Sequence, residues 1–220
     1  MSEATIEARG VRKAYGRTEA LRGVSVTVTA GETVAITGPS GSGKSSLMLT
    51  LAGILRPEAG EVLYEGSRLD DLDERARTRL RRRSFGVVLQ FGQLVPELTA
   101  VQNVALPLLL ERHDRVASER IALGWLERLG AAHLTAALPG ELSGGESQRV
   151  ATARALIASP RVVFADEPTG ALDTVGGEEL LDELFGAVKE TEATLVLVTH
   201  DNRVAARADR EVVLRDGALA

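Results

Sequence analysis

The stretch Gly38-Pro-Ser-Gly-Ser-Gly-Lys-Ser45 decides the fold of this chain. It has the spacing GxxxxGK[ST], it follows the apolar run Thr33–Thr37, and a helical pattern follows over Ser45–Leu55. A strand, a glycine-rich turn and a helix in this order form a phosphate-binding loop. The glycines let successive backbone N–H groups face phosphate oxygens, and the helix N-terminus adds partial positive charge. A glycine-rich turn that matches by chance lacks this context.

The side chains of this loop indicate a nucleotide and Mg²⁺. We expect Lys44 to reach the β- and γ-phosphates and the Ser45 hydroxyl to ligate the metal ion. The residues expected to contact ATP here are Gly38, Ser40, Gly41, Ser42, Gly43, Lys44, Ser45 and Ser46.

Two further apolar runs, Val162–Ala165 and Thr194–Thr199, resemble the one before the loop. Continuous apolar runs are typical of parallel strands covered on both faces, and helical patterns follow them, which indicates a doubly wound α/β fold. Ala20–Thr29 and Gly60–Tyr64 instead alternate with period two, which predicts half-buried antiparallel strands at the edge.

The middle of the chain, roughly residues 94–138, is mostly helical in pattern. Within Val116–Leu129 the apolar residues expected near one face are Val116, Ile121, Trp125, Leu126 and Leu129. The predicted fold class is α/β: a P-loop NTPase core with a mainly parallel sheet, an N-terminal antiparallel β lobe and an inserted helical lobe. We expect one domain over residues 1–220, with the helical lobe at about 92–155.

Two acids, Asp166 and Glu167, follow the run Val162–Ala165 directly. Ligands bind at the carboxyl ends of parallel strands, so we expect Asp166 to hold Mg²⁺ and Glu167 to orient or deprotonate the attacking water. On its own, such a pair more often marks the start of a helix. The phosphate loop upstream favours the catalytic interpretation.

The overall composition excludes several classes of function. The net charge of −5 argues against general nucleic-acid binding, and the absence of cysteine excludes disulfides, cysteine metal sites and a cysteine nucleophile. Met1–Thr5 do not form the basic region of a signal peptide, and no stretch approaches 18 apolar residues. We therefore expect a cytoplasmic chain that reaches a membrane only through a partner.

Several further segments resemble the ATP-binding subunits of the ABC transporter family, in that family's order and over essentially the whole chain. The segments are Tyr15, Gln90, the signature-like Leu142-Ser-Gly-Gly-Glu146 with Ser147-Gln-Arg149-Val-Ala-Thr-Ala-Arg154, the stretch Asp166-Glu-Pro-Thr-Gly-Ala-Leu-Asp173, and Thr199-His200-Asp201.

The resemblance implies a role for each matching residue. Tyr15 is expected to stack on adenine. Gln90 is expected to join Ser45 and Asp166 around Mg²⁺ and to sense the γ-phosphate, and His200 is expected to contact the γ-phosphate and support the attack.

The resemblance also implies a head-to-tail dimer that encloses two ATP molecules, with a second ATPase subunit expected to be identical. Ser143 and Gly145 of one subunit then close on the γ-phosphate held by the other, and Asp173 lies at the dimer seam. Glu146 departs from the more common glutamine. Its spacing from Ser143 predicts a capping box at the start of a helix that runs to about Ala158.

The segment from Gln90 to Leu108 is similar to a branch that includes macrolide-exporter, lipoprotein-release, cell-division and antimicrobial-peptide-resistance ATPases. The leading hypothesis is an ATP-hydrolysing subunit that powers a membrane permease for export or mechanotransmission, without nucleic acid as a partner. One alternative is a soluble ABC ATPase that acts on ribosomes or DNA. Another is a regulatory module that holds ATP without turnover.

Three other features have simpler interpretations. His113 and His133 are expected at the surface or in packing. The arginine-rich run Arg75–Arg83 suggests nucleic acid or anionic lipid, but a solvated helix after the acids at 70–74 fits better. The apolar residues after Gln90 are expected in the core, although this region receives the permease in family transporters; they are Phe91, Leu94, Val95 and Leu98.

Overall fold

The computed structural model describes residues 4–90 and 92–220. Met1–Glu3 and Phe91, and with them part of the interpretations of the N-terminus and of the segment after Gln90, lie outside the described residues. In chain order the elements are β1 (Ala4–Tyr15), β2 (Thr18–Thr29), β3 (Thr33–Thr37), α1 (Lys44–Leu51), β4 (Ala59–Tyr64), β5 (Ser67–Arg68), α2 (Glu74–Ser84), β6 (Phe85–Val88), α3 (Ala100–Leu110), α4 (Arg115–Arg128), α5 (Gly144–Leu156), β7 (Val162–Asp166), α6 (Thr174–Glu190), β8 (Thr194–Val198), α7 (Asn202–Ala205), β9 (Arg210–Arg215) and β10 (Ala218–Leu219).

The chain divides into two compact units. The first comprises residues 1–81 and 192–220, and the second comprises residues 82–191. The predicted helical lobe lies within the second unit, together with the strands β6 and β7. The assignment of residues 1–220 to one domain stays a prediction.

The antiparallel sheet of the first unit has the strand order β2-β1-β4-β5. Strand β2 alternates as its sequence predicts, with Val24, Val26 and Val28 buried and the residues between them exposed. Strand β4 does not alternate, because its last three residues are all buried. The antiparallel prediction is confirmed for both strands.

The parallel strands of the first unit position the phosphate loop. Strand β3 pairs in parallel with β8 on one side and β9 on the other, and all five of its residues are buried. Helix α1 ends at Leu51, four residues earlier than predicted. Gly53 adopts a φ of +64°, and the Ile54 N–H donates to Leu49 O at 2.9 Å, so a left-handed glycine turn ends the helix.

The second unit has its own pair of parallel strands, β6 and β7. Gly86 in β6 lies so close to α5 that a Cβ there would come within 2.3 Å of Ala155 O. The rings of Phe85 and Phe164 meet edge to face, with centroids 5.3 Å apart. The ring contact joins the two strands, and the close approach at Gly86 packs α5 against β6.

The predicted apolar face of α4 is partly wrong. Its buried residues are Ser118, Ala122 and Leu126, whereas Val116 is 75% exposed and Ile121 is 45% exposed. Small side chains at a spacing of four let the helix approach its neighbours closely, and the Ser118 hydroxyl donates to Asp114 O at 2.7 Å, which permits its burial. Hydrophobicity alone therefore pointed to the wrong stripe.

Helix α2 carries the arginine-rich run. The Asp73 carboxylate caps its start by accepting from the Ala76 N–H at 2.7 Å, and Arg75 and Arg79 are exposed as predicted. Arg77 contradicts the prediction of a solvated run, because it is buried and pairs with Glu74. The other simple predictions divide: His113 and His133 are exposed as expected, but Leu94, Val95 and Leu98 are only half-buried rather than core.

Candidate nucleotide-binding site

The phosphate loop of the first unit requires glycine at both of its ends, because a side chain there would clash with neighbouring backbone. Gly38, Gly41 and Gly43 all have φ between +77° and +137°. A Cβ on Gly38 would lie 2.0 Å from Leu214 O, and a Cβ on Gly43 would lie 2.2 Å from Ala20 O. A Cβ on Gly41 would meet nothing within 4 Å. The backbone is thus held tightly at both ends of the loop and is open at its middle, which leaves room for phosphate.

Polar groups in this loop are available for an anion. Lys44 Nζ donates to Gly38 O and to Pro39 O, both at 2.9 Å, so its ammonium group spans the turn. The Ser42 hydroxyl is buried, and its oxygen has no hydrogen-bond partner in the described ranges. A fixed ammonium group and an unpaired buried hydroxyl fit a loop that binds phosphate oxygens.

Tyr15 ends strand β1 beside the first turn of α1. Its hydroxyl lies 3.5 Å from Ser46 Oγ, and Lys13 Nζ lies 5.8 Å from the centre of its ring. The side chain is 51% exposed, which is unusual for a tyrosine at the end of a well-packed strand. The ring is therefore accessible for stacking on a planar base next to the phosphate loop.

His200 lies two residues after the end of β8. Within the first unit, the Thr199 N–H donates to Ile36 O in β3 at 3.2 Å. Since β3 and β8 are parallel, His200 and the phosphate loop leave the same edge of these strands. Asp201 caps the short helix α7, and its hydrogen bond with the Arg203 side chain lowers the pKa of its carboxyl group.

The second unit places the remaining candidate carboxylates. Asp166 is the last residue of β7 and is 7% exposed, and Glu167 follows it with a left-handed φ of +46°. Strand β6 is parallel to β7, with Val88 opposite Ala165, so Gln90 leaves the same edge as Asp166. A carboxylate and an amide oxygen at one strand edge are ligand types that suit Mg²⁺.

The capping box predicted at the signature segment is confirmed. Ser143 Oγ accepts from the Glu146 N–H at 3.3 Å, and Glu146 Oε2 accepts from the Ser143 N–H at 2.7 Å. The hydrogen bond from the Ser143 N–H lowers the pKa of Glu146, and His133 Nε2 lies 3.5 Å from its other carboxylate oxygen. Glu146 is therefore engaged in the cap. Helix α5 ends at Leu156, two residues before the predicted end.

The signature glycines pack against the segment that ends at Asp173. A Cβ on Gly144 would lie 3.1 Å from Ala171 Cβ, and a Cβ on Gly145 would lie 2.9 Å from Leu172 Cδ2. Asp173 caps α6 by accepting from the Gly176 N–H at 2.7 Å. The second unit thus brings Ser143, Gly145 and Asp173 into one contiguous region.

Three residues with structural roles near the site were missed in the sequence. Arg149 donates to Leu129 O and to Glu179 Oε2, both at 3.0 Å. Arg154 donates to Gly92 O and Gln93 O, and the buried Asn103 bonds to the segment from Val95 to Thr99. Both arginines stand in the stretch that resembles the ABC family, but no local pattern reveals their contacts. For Asn103 the signal is a polar residue among the apolar positions of α3.

Comparisons with known proteins identify the family of this chain. A family model described as "ABC transporter" matches residues 21–170. The chain is 42% identical to the lipoprotein-releasing system ATP-binding protein LolD of Hahella chejuensis, covering 100% of this chain and 97% of that protein. It is 44% identical to the uncharacterized ABC transporter ATP-binding protein YbbA of Escherichia coli K12, covering 99% and 97%.

A solved structure matches over nearly the whole length. It is the ATP-binding cassette MJ0796 in a dimeric post-hydrolysis state bound to ADP and Pi, with a TM-score of 0.93, 37% identity and coverage of 97% of this chain and 96% of that chain. The expected fold class, family branch and ATPase activity are confirmed, and a soluble ATPase acting on ribosomes or DNA is not supported. The chain belongs to the ABC transporter family, as one of its ATP-binding and ATP-hydrolysing subunits.

Proposed function

We propose that this subunit works as a dimer of identical chains docked on a membrane permease, at the inner face of the cell membrane, and drives export or mechanical work on the outer side. No helix among residues 4–90 and 92–220 is long and apolar enough to cross a bilayer. The similarity to a lipoprotein-releasing ATP-binding protein supports a permease of that branch as the partner. The proposed cargo class is lipidated or otherwise amphipathic molecules leaving the membrane.

The phosphate loop is proposed to bind the triphosphate of ATP. Its backbone N–H groups surround the β-phosphate, and Lys44 exchanges its hydrogen bonds to Gly38 O and Pro39 O for phosphate oxygens. Ser40, Ser42 and Ser46 add hydroxyl donors around the loop, and Tyr15 stacks on adenine. The open space at Gly41 and the exposure of Tyr15 support these roles.

Magnesium is proposed to be held by Ser45, Gln90 and Asp166. When bound, Mg²⁺ supplies charge neutralisation on the β- and γ-phosphates. The position of Asp166 at the carboxyl end of the parallel strand β7 supports this assignment, because ligands bind at that end of parallel strands. Gln90 leaves the same strand edge and senses whether a γ-phosphate is present.

The chemical step is proposed to rest on Glu167 and His200. Glu167 orients the attacking water and accepts its proton, and His200 donates a hydrogen bond to the γ-phosphate as its negative charge shifts. The left-handed φ of Glu167 supports this role, since backbone strain at a strand end commonly marks a functional residue. Lys44 stabilises the same charge.

One observation carries the dimer proposal. Besides the phosphate loop, the chain has a second helix N-terminus suited to an anion, at α5, where Ser143 caps the helix and the glycines lie against Ala171 and Leu172. A second copy gives this N-terminus a phosphate to bind. Ser143 and Gly145 then close on the γ-phosphate of the neighbouring subunit, with Asp173 at the seam.

The partner is tested by capture from membranes. The Glu167→Gln variant, loaded with ATP and Mg²⁺, is mixed with detergent-solubilised native membranes and recovered through an affinity tag. We expect a membrane-spanning permease to co-purify, and to be absent when a Lys44→Ala variant is used under the same conditions. Recovery of ribosomal or other soluble proteins alone contradicts the membrane assignment. An equal yield of permease with both variants contradicts its dependence on ATP.

A further inference from the structure

The 92–99 loop, which comprises residues 92–99 after Gln90, meets one face of the signature helix α5 at its first two residues. A Cβ on Gly92 would come 2.9 Å from Ser147 O and 3.5 Å from Ala151 Cβ. Ser147, Ala151 and Arg154 are spaced by four and three residues, so they share one face of the helix. That face begins at the N-cap Ser143, one turn before Ser147.

Arg154, in the last turn of α5, hydrogen-bonds to the start of this loop. Its Nη2 donates to Gly92 O at 2.9 Å, and its Nη1 donates to Gln93 O at 3.1 Å. Both acceptor residues have left-handed backbones, with φ of +72° at Gly92 and +46° at Gln93. Their carbonyl groups therefore face the guanidinium in a geometry that an ordinary extended loop does not offer.

The environment of Arg154 is unusual for an arginine. Burial lowers the pKa of its guanidinium group from the ordinary value, and within the described ranges no carboxylate contributes to that pKa. A desolvated cation without a counter-ion is costly unless its hydrogen bonds compensate. Here the two carbonyl groups of the loop provide that compensation, so the loop and the arginine hold each other in place.

The same contact reaches Gln90 through a tight turn. The Gly92 N–H donates to Leu89 O at 3.0 Å, and Gln90 directly follows Leu89 at this turn. Arg154 binds the carbonyl group of the residue whose N–H closes this turn. Two hydrogen bonds, from Arg154 to Gly92 O and from the Gly92 N–H to Leu89 O, thus connect the helix to the residue directly before Gln90.

We infer that Arg154 is a positioning residue that sets the place of Gln90 relative to the signature helix α5. The inference rests on the proposed role of Gln90 at Mg²⁺ and the γ-phosphate. The arginine contacts neither nucleotide nor metal in this scheme. It makes the γ-phosphate sensor and the helix that carries Ser143 move as one body, so that sensing and closure on the neighbouring subunit occur together.

The test compares four full-length variants by the Mg²⁺ concentration that gives half-maximal ATP hydrolysis. Arg154→Met removes both donors and keeps the length of the side chain, and Arg154→Lys keeps the charge and one donor. Gln90→Ala is the reference for loss of the sensor. Arg128→Met is the matched control, because Arg128 also ties helices of the second unit together, through Glu183 and Glu190, but has no contact with the loop.

We expect Arg154→Met and Gln90→Ala to raise the half-maximal Mg²⁺ concentration by about 10-fold and to lower kcat, because loss of a group that orients a metal ligand has this scale of effect. The affinity for ATP without Mg²⁺ should stay within about twofold of wild type, since the phosphate loop is intact. Arg154→Lys should recover part of the loss, and Arg128→Met should match wild type. Thermal unfolding of every variant separates these effects from a failure to fold.

Two other outcomes overturn the inference in different ways. If Gln90→Ala raises the Mg²⁺ requirement and folded Arg154→Met does not, Arg154 does not position Gln90, while the proposed ATPase site stands. If Arg154→Met fails to fold, a wild-type Mg²⁺ requirement in Arg154→Lys has the same meaning. If Gln90→Ala leaves the Mg²⁺ requirement unchanged while Glu167→Gln abolishes hydrolysis, Gln90 has no role at the metal, and the inference falls with that role.

Discussion

The phosphate loop of the first unit and the 92–99 loop of the second unit differ in the origin of the side chains that hydrogen-bond to their backbones. In the phosphate loop these side-chain hydrogen bonds are local, because Lys44 donates to Gly38 O and Pro39 O. The close approach of Leu214 O and Ala20 O requires glycine at its two ends. The 92–99 loop is held by Arg154, which lies 61 and 62 residues from its two acceptors, and by Asn103. A loop whose backbone is bonded by a side chain of the same short segment can be recognised as a sequence motif. A loop whose bonding side chains lie far away in the sequence cannot.

The largest expected effect comes from removing the ammonium group of Lys44 in the phosphate loop. Lys44→Met should lower ATP hydrolysis by about 100-fold or more, because it removes a fixed positive charge at the γ-phosphate. Turnover of ATP by the purified protein measures this loss. The temperature of thermal unfolding without nucleotide should fall only slightly, because two hydrogen bonds to Gly38 O and Pro39 O are lost. Activity above one tenth of wild type contradicts the assignment.

Two glycines of the phosphate loop differ in the reason for which a side chain is expected to be harmful: at Gly38 a Cβ would clash with the protein, and at Gly41 it would enter the space proposed for phosphate. Gly38→Ala should destabilise the first unit by about 3 kcal/mol, because a Cβ 2.0 Å from Leu214 O forces the backbone to move. Gly41→Ala is the matched control: its φ of +77° also disfavours a side chain, but nothing lies within 4 Å. It should unfold closer to wild type and yet bind ATP more weakly. Equal unfolding midpoints for the two variants contradict this distinction.

These two loops also show how much the sequence alone predicts. The P-loop fold, the buried strands and the capping box at Ser143 are encoded by short, contiguous patterns and are confirmed. The catalytic roles assigned at the strand ends stay a prediction. The contacts of Arg154 and the buried face of α4 depend on which segments meet in space. Ser118 and Ala122 are buried because small side chains allow close approach, which an index of hydrophobicity does not register.

The second tether of the 92–99 loop gives a smaller effect, on stability. Asn103 is fully buried; its Nδ2 donates to Val95 O, Leu98 O and Thr99 O, and its Oδ1 accepts from the Val95 N–H at 2.8 Å. Asn103→Ala should lower the free energy of unfolding of the second unit by about 2–3 kcal/mol, because buried backbone groups lose their partners. Urea unfolding measures it. The exposed Asn202→Ala should change stability by no more than about 0.5 kcal/mol.

The smallest expected effect concerns the cap of the signature helix. The pKa of Glu146 is lowered in the folded state, so its contribution to stability is present above the unfolded value of 4.5 and is lost as the pH falls through the lower folded pKa. Glu146→Gln keeps the capping box but has no such pH dependence. Wild type should therefore have the higher unfolding temperature at pH 7, and the difference should shrink steadily as the pH falls below 4.5. A constant difference across this range contradicts a charged cap.

We propose that the phosphate loop of one subunit and the signature helix of its neighbour bind the same ATP. The mass of the Glu167→Gln variant in solution tests this proposal. With ATP and Mg²⁺, sedimentation should give about twice the chain mass of 23.4 kDa, and with ADP it should give the single chain. Adding Ser143→Arg to this variant should keep ATP binding but abolish the doubled mass. A double variant that still dimerises with ATP contradicts the claim.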